Sequence, residues 1–224
     1  MPIDTLQSYD AWIAFLDVYG FKAMIATKDQ TLISQNLAKA HQTLRNEIKE
    51  IPGEELLYSF SDSVFIVLRV AKPDDKGFAL HKCVERCQQI MNIFVDKELP
   101  LRGGIAFGSV CVGDQFIVGD ALVRAVSYEG LVDAPLVLLP AFEIGKELIS
   151  QVTEITVKGG LIKAKLIFPD PLDNYWRFVT EAAQRYLSIG PPNVALAWVN
   201  ARNYIETYAS PALRTPGDTR KDNL

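Results

Sequence analysis

The chain has 224 residues, of which 49% are hydrophobic and 22% are charged, so it can build a sizeable core without disulfides or structural metal. Its net charge of −4 argues against broad, sequence-independent binding to DNA or RNA, but not against a local phosphate pocket. The three cysteines lack C-x-x-C spacing, which speaks against a disulfide framework or a zinc site. No signal peptide or membrane segment is visible in the sequence, which predicts a cytoplasmic protein.

Hydrophobic spacing and turn residues predict alternating strands and helices over the first part of the chain. In chain order, the predicted elements are a strand at 11–18, helices at 21–27 and 31–49, strands at 55–60 and 64–70, and a helix at 78–95. Only Ser61, Asp62 and Ser63 separate the second and third strands. Because Ser and Asp favour turns through local side-chain bonds to the backbone, these two strands are predicted to form a hairpin.

The later part of the chain is predicted to contain strands at 101–107 and 109–112 around Gly108, a helix at 119–131, strands at 136–139, 154–158 and 161–168, and helices at 175–187 and 193–208. The order from the start is β, α, β-hairpin, α, β. This order matches a ferredoxin-like βαββαβ core, in which helices cover a mainly antiparallel sheet. The fold class is therefore predicted as α+β, with a core domain at 8–168, a helical appendage at 172–209 and a flexible tail at 210–224.

Two aspartates stand at positions where the predicted fold brings strand ends together. Asp17 ends an apolar strand in the segment F-L-D-V-Y-G-F, and Asp62 lies at the tip of the hairpin. In a βαββαβ sheet the first strand lies beside that hairpin, so the two carboxylates can approach each other. Neighbouring carboxylates repel unless a divalent cation lies between them, and Mg²⁺ prefers such oxygen ligands. The alternatives are that Asp17 caps the following helix and that Asp62 is an ordinary turn residue.

Four other side chains could bind a metal or act as bases, but simpler structural roles explain them. Cys83 and Cys87 lie four apart in a helical pattern, which suits either two metal ligands on one helix face or packing in the core. His41 and His81 are candidate bases, but both fall in predicted helices far along the chain from the aspartates. Surface or packing roles are therefore favoured for the two histidines.

Four ordered segments resemble the catalytic domain of the class III nucleotide cyclases. Phe15–Lys22 is similar to the family's opening motif, and Ser59–Val67 to its second metal hairpin, although Ser61 replaces the usual glycine. Arg102–Gly108 and Val112–Glu129 are similar to its later strand, glycine and helix block. The resemblance covers residues 11–168 and is closest to the Pycsar pyrimidine cyclases of bacterial antiphage defence.

The resemblance implies a metal-dependent enzyme that converts UTP or CTP to the 3′,5′-cyclic nucleotide and pyrophosphate. It assigns metal binding to Asp17, Val18 and Asp62, with two Mg²⁺ or Mn²⁺ ions per site, and catalysis to the two aspartates. It also implies a homodimer with shared sites and a separate effector protein that receives the cyclic nucleotide. The choice between UTP and CTP stays open at this point.

The same resemblance suggests which side chains contact the base and the phosphates. Tyr58 stands four residues before Asp62, where purine-using relatives place a base-reading lysine, so it is expected to stack on a pyrimidine. Arg102, Arg124 and Lys158 are the candidate phosphate-binding residues. Each has an alternative: Tyr58 as a core aromatic, Arg102 as the partner of an acid, Arg124 as a surface or interface residue, and Lys158 as an ordinary strand-end lysine.

The sequence also departs from the family pattern on the helix that begins near Gly119. Phe116 stands where many adenylyl cyclases have an acidic base reader, and Val123 and Ser127 stand where those enzymes have an asparagine and an arginine. Neither Val123 nor Ser127 can hold the ribose or stabilise the transition state in that way. Two rival interpretations follow: a cyclase-like module that senses a nucleotide without turnover, and a module that uses the sheet only for dimerisation.

Overall fold

The computed structural model describes residues 7–27, 29–113, 116–131, 133–144, 153–157, 159–169, 172–189 and 192–209. The chain divides into two compact units, with the boundary between Asp170 and Pro171. The candidate tail at 210–224 lies outside the described residues. Within the described ranges, no helix combines the length and the apolar character needed to cross a membrane.

The first unit holds the sheet and most of the helices. Its elements in the described residues are β1 (Gln7–Val18), α1 (Phe21–Thr27), α2 (Gln30–Glu47), β2 (Glu55–Phe60), β3 (Ser63–Arg69), α3 (Lys76–Val95), β4 (Leu101–Gly113), β5 (Phe116–Val118), α4 (Asp120–Glu129), β6 (Val137–Pro140), β7 (Thr153–Val157) and β8 (Gly160–Ile167). The second unit contains α5 (Leu172–Ile189) and α6 (Pro192–Tyr204), which runs into a π-helical turn at Ile205–Ala209.

The sheet confirms the predicted α+β class with a ferredoxin-like βαββαβ core. Across the described strands its order is β2-β3-β1-β4-β6-β8-β7, and β5 pairs with β4 beside this path. The first four strands are antiparallel to their neighbours, β4 and β6 are parallel, and β6, β8 and β7 continue antiparallel. The central strand β1 therefore has β3 on one side and β4 on the other.

The main core lies on the sheet face covered by α2 and α3. Because side chains alternate along a strand, every second residue of β1 enters this core, namely Trp12, Ala14, Leu16 and Val18. They pack with Leu44 of α2 and with Ile90 and Phe94 of α3, all at most 1% exposed. The intervening residues of β1, including Asp17, face the other side of the sheet.

Helix α4 covers that other face and lies directly on the backbone of β4. A Cβ atom placed on Gly104 would stand 2.4 Å from the carbonyl oxygen of Ala125, and one on Gly108 would stand 2.8 Å from both Asp120 and Arg124. The neighbour of Gly104 is backbone, so no side chain fits there, whereas a Cβ on Gly108 would meet the ends of two α4 side chains. Gly104 therefore sets how closely α4 approaches the sheet, and Gly108 leaves room for the side chains of Asp120 and Arg124.

Around Gly108, one prediction was wrong and one strand was missed. The segment forms one continuous strand of 13 residues instead of two strands separated at Gly108, because the glycine marks the close approach of α4 and not a turn. The short strand β5, which pairs with Cys111 and Val112 of β4, was missed. The remaining predicted elements occur with small shifts at their ends, as is usual for helix and strand boundaries.

Candidate active site

Asp17 lies at the end of β1, between the two neighbouring strands. Its Cα is in register with Ser63 of β3 on one side and with Arg102 of β4 on the other. The hydroxyl of Ser63 donates a hydrogen bond to Oδ1 of Asp17 at 2.8 Å. The orientation of the carboxylate is therefore fixed by Ser63, at the start of β3.

Asp62 is brought beside this position by the hairpin turn. Ser61 and Asp62 form the two-residue connection between β2 and β3, and the amide of Val18 donates to the carbonyl oxygen of Asp62 at 3.1 Å. The residue that follows Asp17 is thus bonded directly to Asp62. The structure brings the two predicted aspartates together at one end of the sheet.

The turn itself has an unusual backbone. Ser61 has a φ of 54°, in the left-handed region that glycine adopts more readily than any other residue. A residue with a Cβ in that region costs on the order of 1 kcal/mol relative to glycine. Ser61 is thus held in a left-handed conformation by its surroundings.

The electrostatics of the pair favour a cation. Burial raises the pKa of Asp17, and the nearby charge of Asp62 raises it further, while the Ser63 hydrogen bond and the Arg102 charge lower it. Arg102 gives only partial compensation because its guanidinium pairs with Glu129 and lies over the ring of Tyr19, 5.4 Å from its centroid. A divalent ion between the two carboxylates would remove the repulsion that raises this pKa.

The donor set fits Mg²⁺ or Mn²⁺ bound together with a substrate. Asp17 and Asp62 supply hard oxygen ligands, and Val18 can add only its carbonyl oxygen, because its side chain is apolar and buried and its amide is bonded to Asp62. Among the described residues, no group of three or more His, Cys, Asp or Glu side chains is arranged to hold a metal. Such an ion would therefore complete its shell with water and phosphate oxygens.

A shallow apolar groove of about 320 Å³ opens beside the hairpin. Its lining residues come from β2, β3, β5 and α4: Tyr58, Ser59, Phe60, Phe65, Phe116, Ile117 and Leu122. The hydroxyl of Tyr58 donates to the carbonyl oxygen of Gly113 at 2.9 Å, which fixes the ring between β2 and the end of β4. The groove presents aromatic faces, which suit a flat base.

No protein-family model matches this chain, and no curated protein matches it either. Solved structures are similar in backbone. The guanylyl cyclase Cya2 is 14% identical with a TM-score of 0.45, over 74% of this chain and 95% of that chain. An adenylate/guanylate cyclase/hydrolase from Silicibacter pomeroyi is 20% identical with a TM-score of 0.48, over 74% and 99%. A class III adenylyl cyclase-like ATP-binding protein from Pseudomonas aeruginosa is 12% identical with a TM-score of 0.39, over 92% and 46%.

These identities and TM-scores are too low to assign an activity to the chain. The chemistry therefore has to be inferred from the positions of its own side chains.

Arg124, a candidate phosphate residue, lies in a separate cluster. Its guanidinium donates to Oε1 of Glu143 at 2.9 Å, to Asp120 at 3.1 Å and to the carbonyl oxygen of Phe107. Glu143 is only 5% exposed and also accepts from the Tyr128 hydroxyl at 2.6 Å and the Phe107 amide at 3.1 Å. In the described structure, Arg124 supports a buried carboxylate.

The positions on and near α4 that depart from the family pattern offer no charged group to a ligand. Val123 is 66% exposed, and the Ser127 hydroxyl donates to the carbonyl oxygen of Val123 within the helix at 2.8 Å. Phe116 is half exposed at the edge of the groove. Lys158 lies outside the described residues.

Two contacts in and near the site were not found by sequence reasoning. Nε2 of His41, in α2, lies 2.7 Å from the carbonyl oxygen of Ser61, although twenty residues separate them. Glu143 was not singled out at all. No motif marks either contact, because each depends on how distant elements pack, whereas the two aspartates were marked by the strand ends that carry them. Cys83 and Cys87 are free and fully buried in the core, as packing predicts.

Proposed function

We propose that this chain is a metal-dependent nucleotide cyclase that converts a pyrimidine nucleoside triphosphate, UTP or CTP, to the 3′,5′-cyclic nucleotide and pyrophosphate. The observation that carries the proposal is the direct link between the two aspartate positions through the hydrogen bond from the Val18 amide to the Asp62 carbonyl. The motifs around Asp17 and Asp62, which resemble those of class III cyclases, support the same assignment. The catalytic domain would be residues 8–168, with 172–209 as an appendage.

In the proposed reaction, the ribose 3′-oxygen attacks the α-phosphorus, the bond to the bridging oxygen breaks and pyrophosphate leaves. The proton of the 3′-hydroxyl passes to solvent. Two divalent ions, when bound, lower the pKa of that hydroxyl and neutralise charge on the triphosphate. Asp17 and Asp62 would hold them, with the Val18 carbonyl as an additional oxygen ligand. Ser63 would fix the orientation of the Asp17 carboxylate.

Positive side chains would balance the triphosphate. Arg102 is the best placed of the three candidates because it stands in register with Asp17 on β4, although it would have to release Glu129 to contact a phosphate. Lys158 remains a candidate from its sequence position alone. Arg124 would have to release Glu143, Asp120 and the Phe107 carbonyl before it could contact a phosphate, so its support is the weakest.

The base would lie in the apolar groove and stack on Tyr58. A pyrimidine is proposed because Tyr58 stands where purine-using relatives have a base-reading lysine, and no acidic or basic side chain lines the groove within the described residues. Reading of one exocyclic group, and so the choice between UTP and CTP, would then depend on backbone groups of the groove.

The proposal includes a homodimer and a downstream effector. Phe60 is 81% exposed at the hairpin, and Val123 is 66% exposed on α4, so apolar surface is available for a second copy near the proposed site. The cyclic pyrimidine nucleotide would act as a second messenger in antiphage defence, read by an effector with a cyclic-nucleotide receptor. Light scattering at increasing protein concentration tests the dimer.

The direct test is product analysis. Purified protein is incubated with Mn²⁺ and each of ATP, GTP, CTP and UTP, and the products are identified by mass spectrometry. A cyclic pyrimidine nucleotide that disappears in Asp62→Asn supports the proposal, and cyclisation of a purine alone overturns the pyrimidine assignment. Asp74→Asn, which changes an exposed carboxylate before α3, is the matched control and is expected to behave as the unmodified protein.

A second candidate function is nucleotide sensing without turnover. The observation that favours it is the character of α4, where Val123 has no polar group and the Ser127 hydroxyl is bonded within its own helix. Metal-dependent binding of UTP without any cyclic product would support the sensor. Absence of nucleotide binding would leave dimerisation as the function of the sheet.

A further inference from the structure

The turn that carries Asp62 is strained and needs support from elsewhere in the fold. Among the described residues other than glycine, only Ser61 and Glu98 have a positive φ. A serine in that conformation persists only when surrounding contacts hold it there. The contacts that hold Ser61 therefore also determine where the next residue, Asp62, is placed.

Both carbonyl groups of the turn are bonded to other elements. The imidazole of His41 lies 2.7 Å from the Ser61 carbonyl oxygen, and the Val18 amide donates to the Asp62 carbonyl oxygen at 3.1 Å. One bond comes from α2 and the other from β1. The two-residue turn is thus fixed on both sides, and the Asp62 side chain projects from a backbone that cannot rotate freely.

His41 is itself rigidly placed. It follows Ala40, which is fully buried, and its ring meets the buried Phe94 of α3 edge-on, with centroids 5.6 Å apart and an interplanar angle of 88°. A carbonyl oxygen can only accept a hydrogen bond, so the proton must be on Nε2. The other ring nitrogen, Nδ1, is buried and has no hydrogen-bond partner among the described residues, as suits the unprotonated nitrogen of that tautomer.

We propose that His41 is a positioning residue that holds Ser61 in its left-handed conformation and thereby fixes Asp62 beside Asp17. The inference rests on the proposed role of Asp62 in metal binding. His41 contacts neither the metal nor the substrate and acts through one backbone carbonyl. In a chain that has serine where glycine would adopt this turn without strain, the imidazole supplies the missing restraint.

A purely structural role for the imidazole predicts different behaviour. If His41 only fills space against Phe94, phenylalanine at position 41 should be tolerated, since it keeps an aromatic ring but cannot donate. If the hydrogen bond matters, glutamine should retain much of the function, because its amide can donate to the same carbonyl. Ser61→Gly should make the turn independent of His41, because glycine adopts a positive φ without strain.

The experiment measures the affinity for Mn²⁺ alone, by electron paramagnetic resonance, in the unmodified protein and in His41→Phe, His41→Gln, Ser61→Gly and the double variant His41→Phe/Ser61→Gly. We expect about tenfold weaker binding in His41→Phe, the loss typical of one hydrogen bond. His41→Gln should stay within about threefold of the unmodified protein. The double variant should recover most of the affinity, and unchanged affinity in His41→Phe would overturn the inference.

Asp62→Asn separates this inference from the proposed function. Unchanged Mn²⁺ binding in Asp62→Asn contradicts the metal site itself, whereas loss in Asp62→Asn with no loss in His41→Phe contradicts only the role of His41. Hydrogen exchange gives a second readout that needs no metal. The Val18 amide, bonded to Asp62, should exchange faster in His41→Phe and regain protection in the double variant. If His41→Phe does not fold, the comparison of His41→Gln with the unmodified protein decides, and a tenfold loss there overturns the inference.

Discussion

Two acidic clusters of the first unit are built in opposite ways. Glu143 is buried and accepts three hydrogen bonds, from Arg124, Tyr128 and the Phe107 amide. Asp17 is half-buried and accepts one side-chain hydrogen bond, from Ser63, and its nearest charged neighbour on the hairpin is another carboxylate. The first cluster satisfies its charge within the chain, whereas the second leaves part of that requirement to a ligand.

The pKa directions follow the same division. Burial and the bond to Glu143 raise the pKa of Tyr128, so this hydroxyl keeps its proton and continues to donate. Burial and Asp62 raise the pKa of Asp17, which means that its ionisation costs more than that of an exposed aspartate, and a bound cation would offset that cost. A buried carboxylate with all its partners stabilises the fold, and a carboxylate pair without them is suited to binding.

Removal of the Asp62 carboxylate should have the largest effect on product formation. In Asp62→Asn, we expect cyclic product to fall by at least about 100-fold, because the developing charge on the phosphates loses its metal support. The thermal unfolding midpoint should change little. Product formation measured by mass spectrometry and a thermal melting curve check both expectations. Full activity in this variant would contradict the proposal that the aspartate pair serves the reaction and Glu143 serves the fold.

Substitution of Glu143, whose charge is balanced within the chain, should reduce stability and leave Mn²⁺ binding unchanged. Glu143→Ala should lower the free energy of unfolding by about 3 kcal/mol, because it leaves Arg124 and the Tyr128 hydroxyl without their shared acceptor. Urea denaturation measures the loss. Glu154→Ala, which removes an exposed ion pair with Lys163, is the control and should change stability by less than about 0.5 kcal/mol. At temperatures where Glu143→Ala is folded, its Mn²⁺ affinity should equal that of the unmodified protein.

The pH dependence of stability sharpens the comparison. Because the folded pKa of Asp17 is raised, the folded state binds the proton more tightly than the unfolded chain does. The free energy of unfolding therefore falls as pH rises from the ordinary aspartate range through the raised pKa, and the penalty persists at neutral pH. Without metal, Asp17→Asn should be more stable than the unmodified protein at neutral pH and equal to it at strongly acidic pH.

Addition of Mn²⁺ should reverse that order at neutral pH, because only the unmodified protein gains stability from the ion. Urea midpoints measured with and without Mn²⁺ give the result. A lower stability of metal-free Asp17→Asn at neutral pH would show that Asp17 supports the fold, as Glu143 does.

The smallest effect on stability and product formation is expected for a substitution on the outer face of α4. Ser127→Ala removes a hydroxyl that bonds only within the helix, so stability should change by less than about 0.5 kcal/mol and product formation should stay the same. A large loss of cyclic product in this variant would show that α4 contributes to the reaction and that the site extends beyond the aspartate pair.

Much of this architecture could be predicted from sequence because it depends on local patterns. The strand ends at Asp17 and Asp62 and the order of strands and helices were enough to place the two carboxylates side by side. The interpretation of Gly108 as a strand break failed because a glycine looks the same in a turn and beneath a packed helix. The partners of Arg124 were also missed, because its contact with Glu143 joins segments nineteen residues apart whose packing no motif records.

The close packing of α4 on Gly104 of β4 has a consequence for how this scaffold can change. Since Gly104 lets the backbone of α4 pack directly on the backbone of β4, the position of the helix is set from its inner side. Its outward residues, Val123, Val126 and Ser127, are free to vary without moving the helix. Side chains on the outer face of α4 can therefore be substituted one at a time, in evolution or by engineering, without a change in the position of the helix on the sheet.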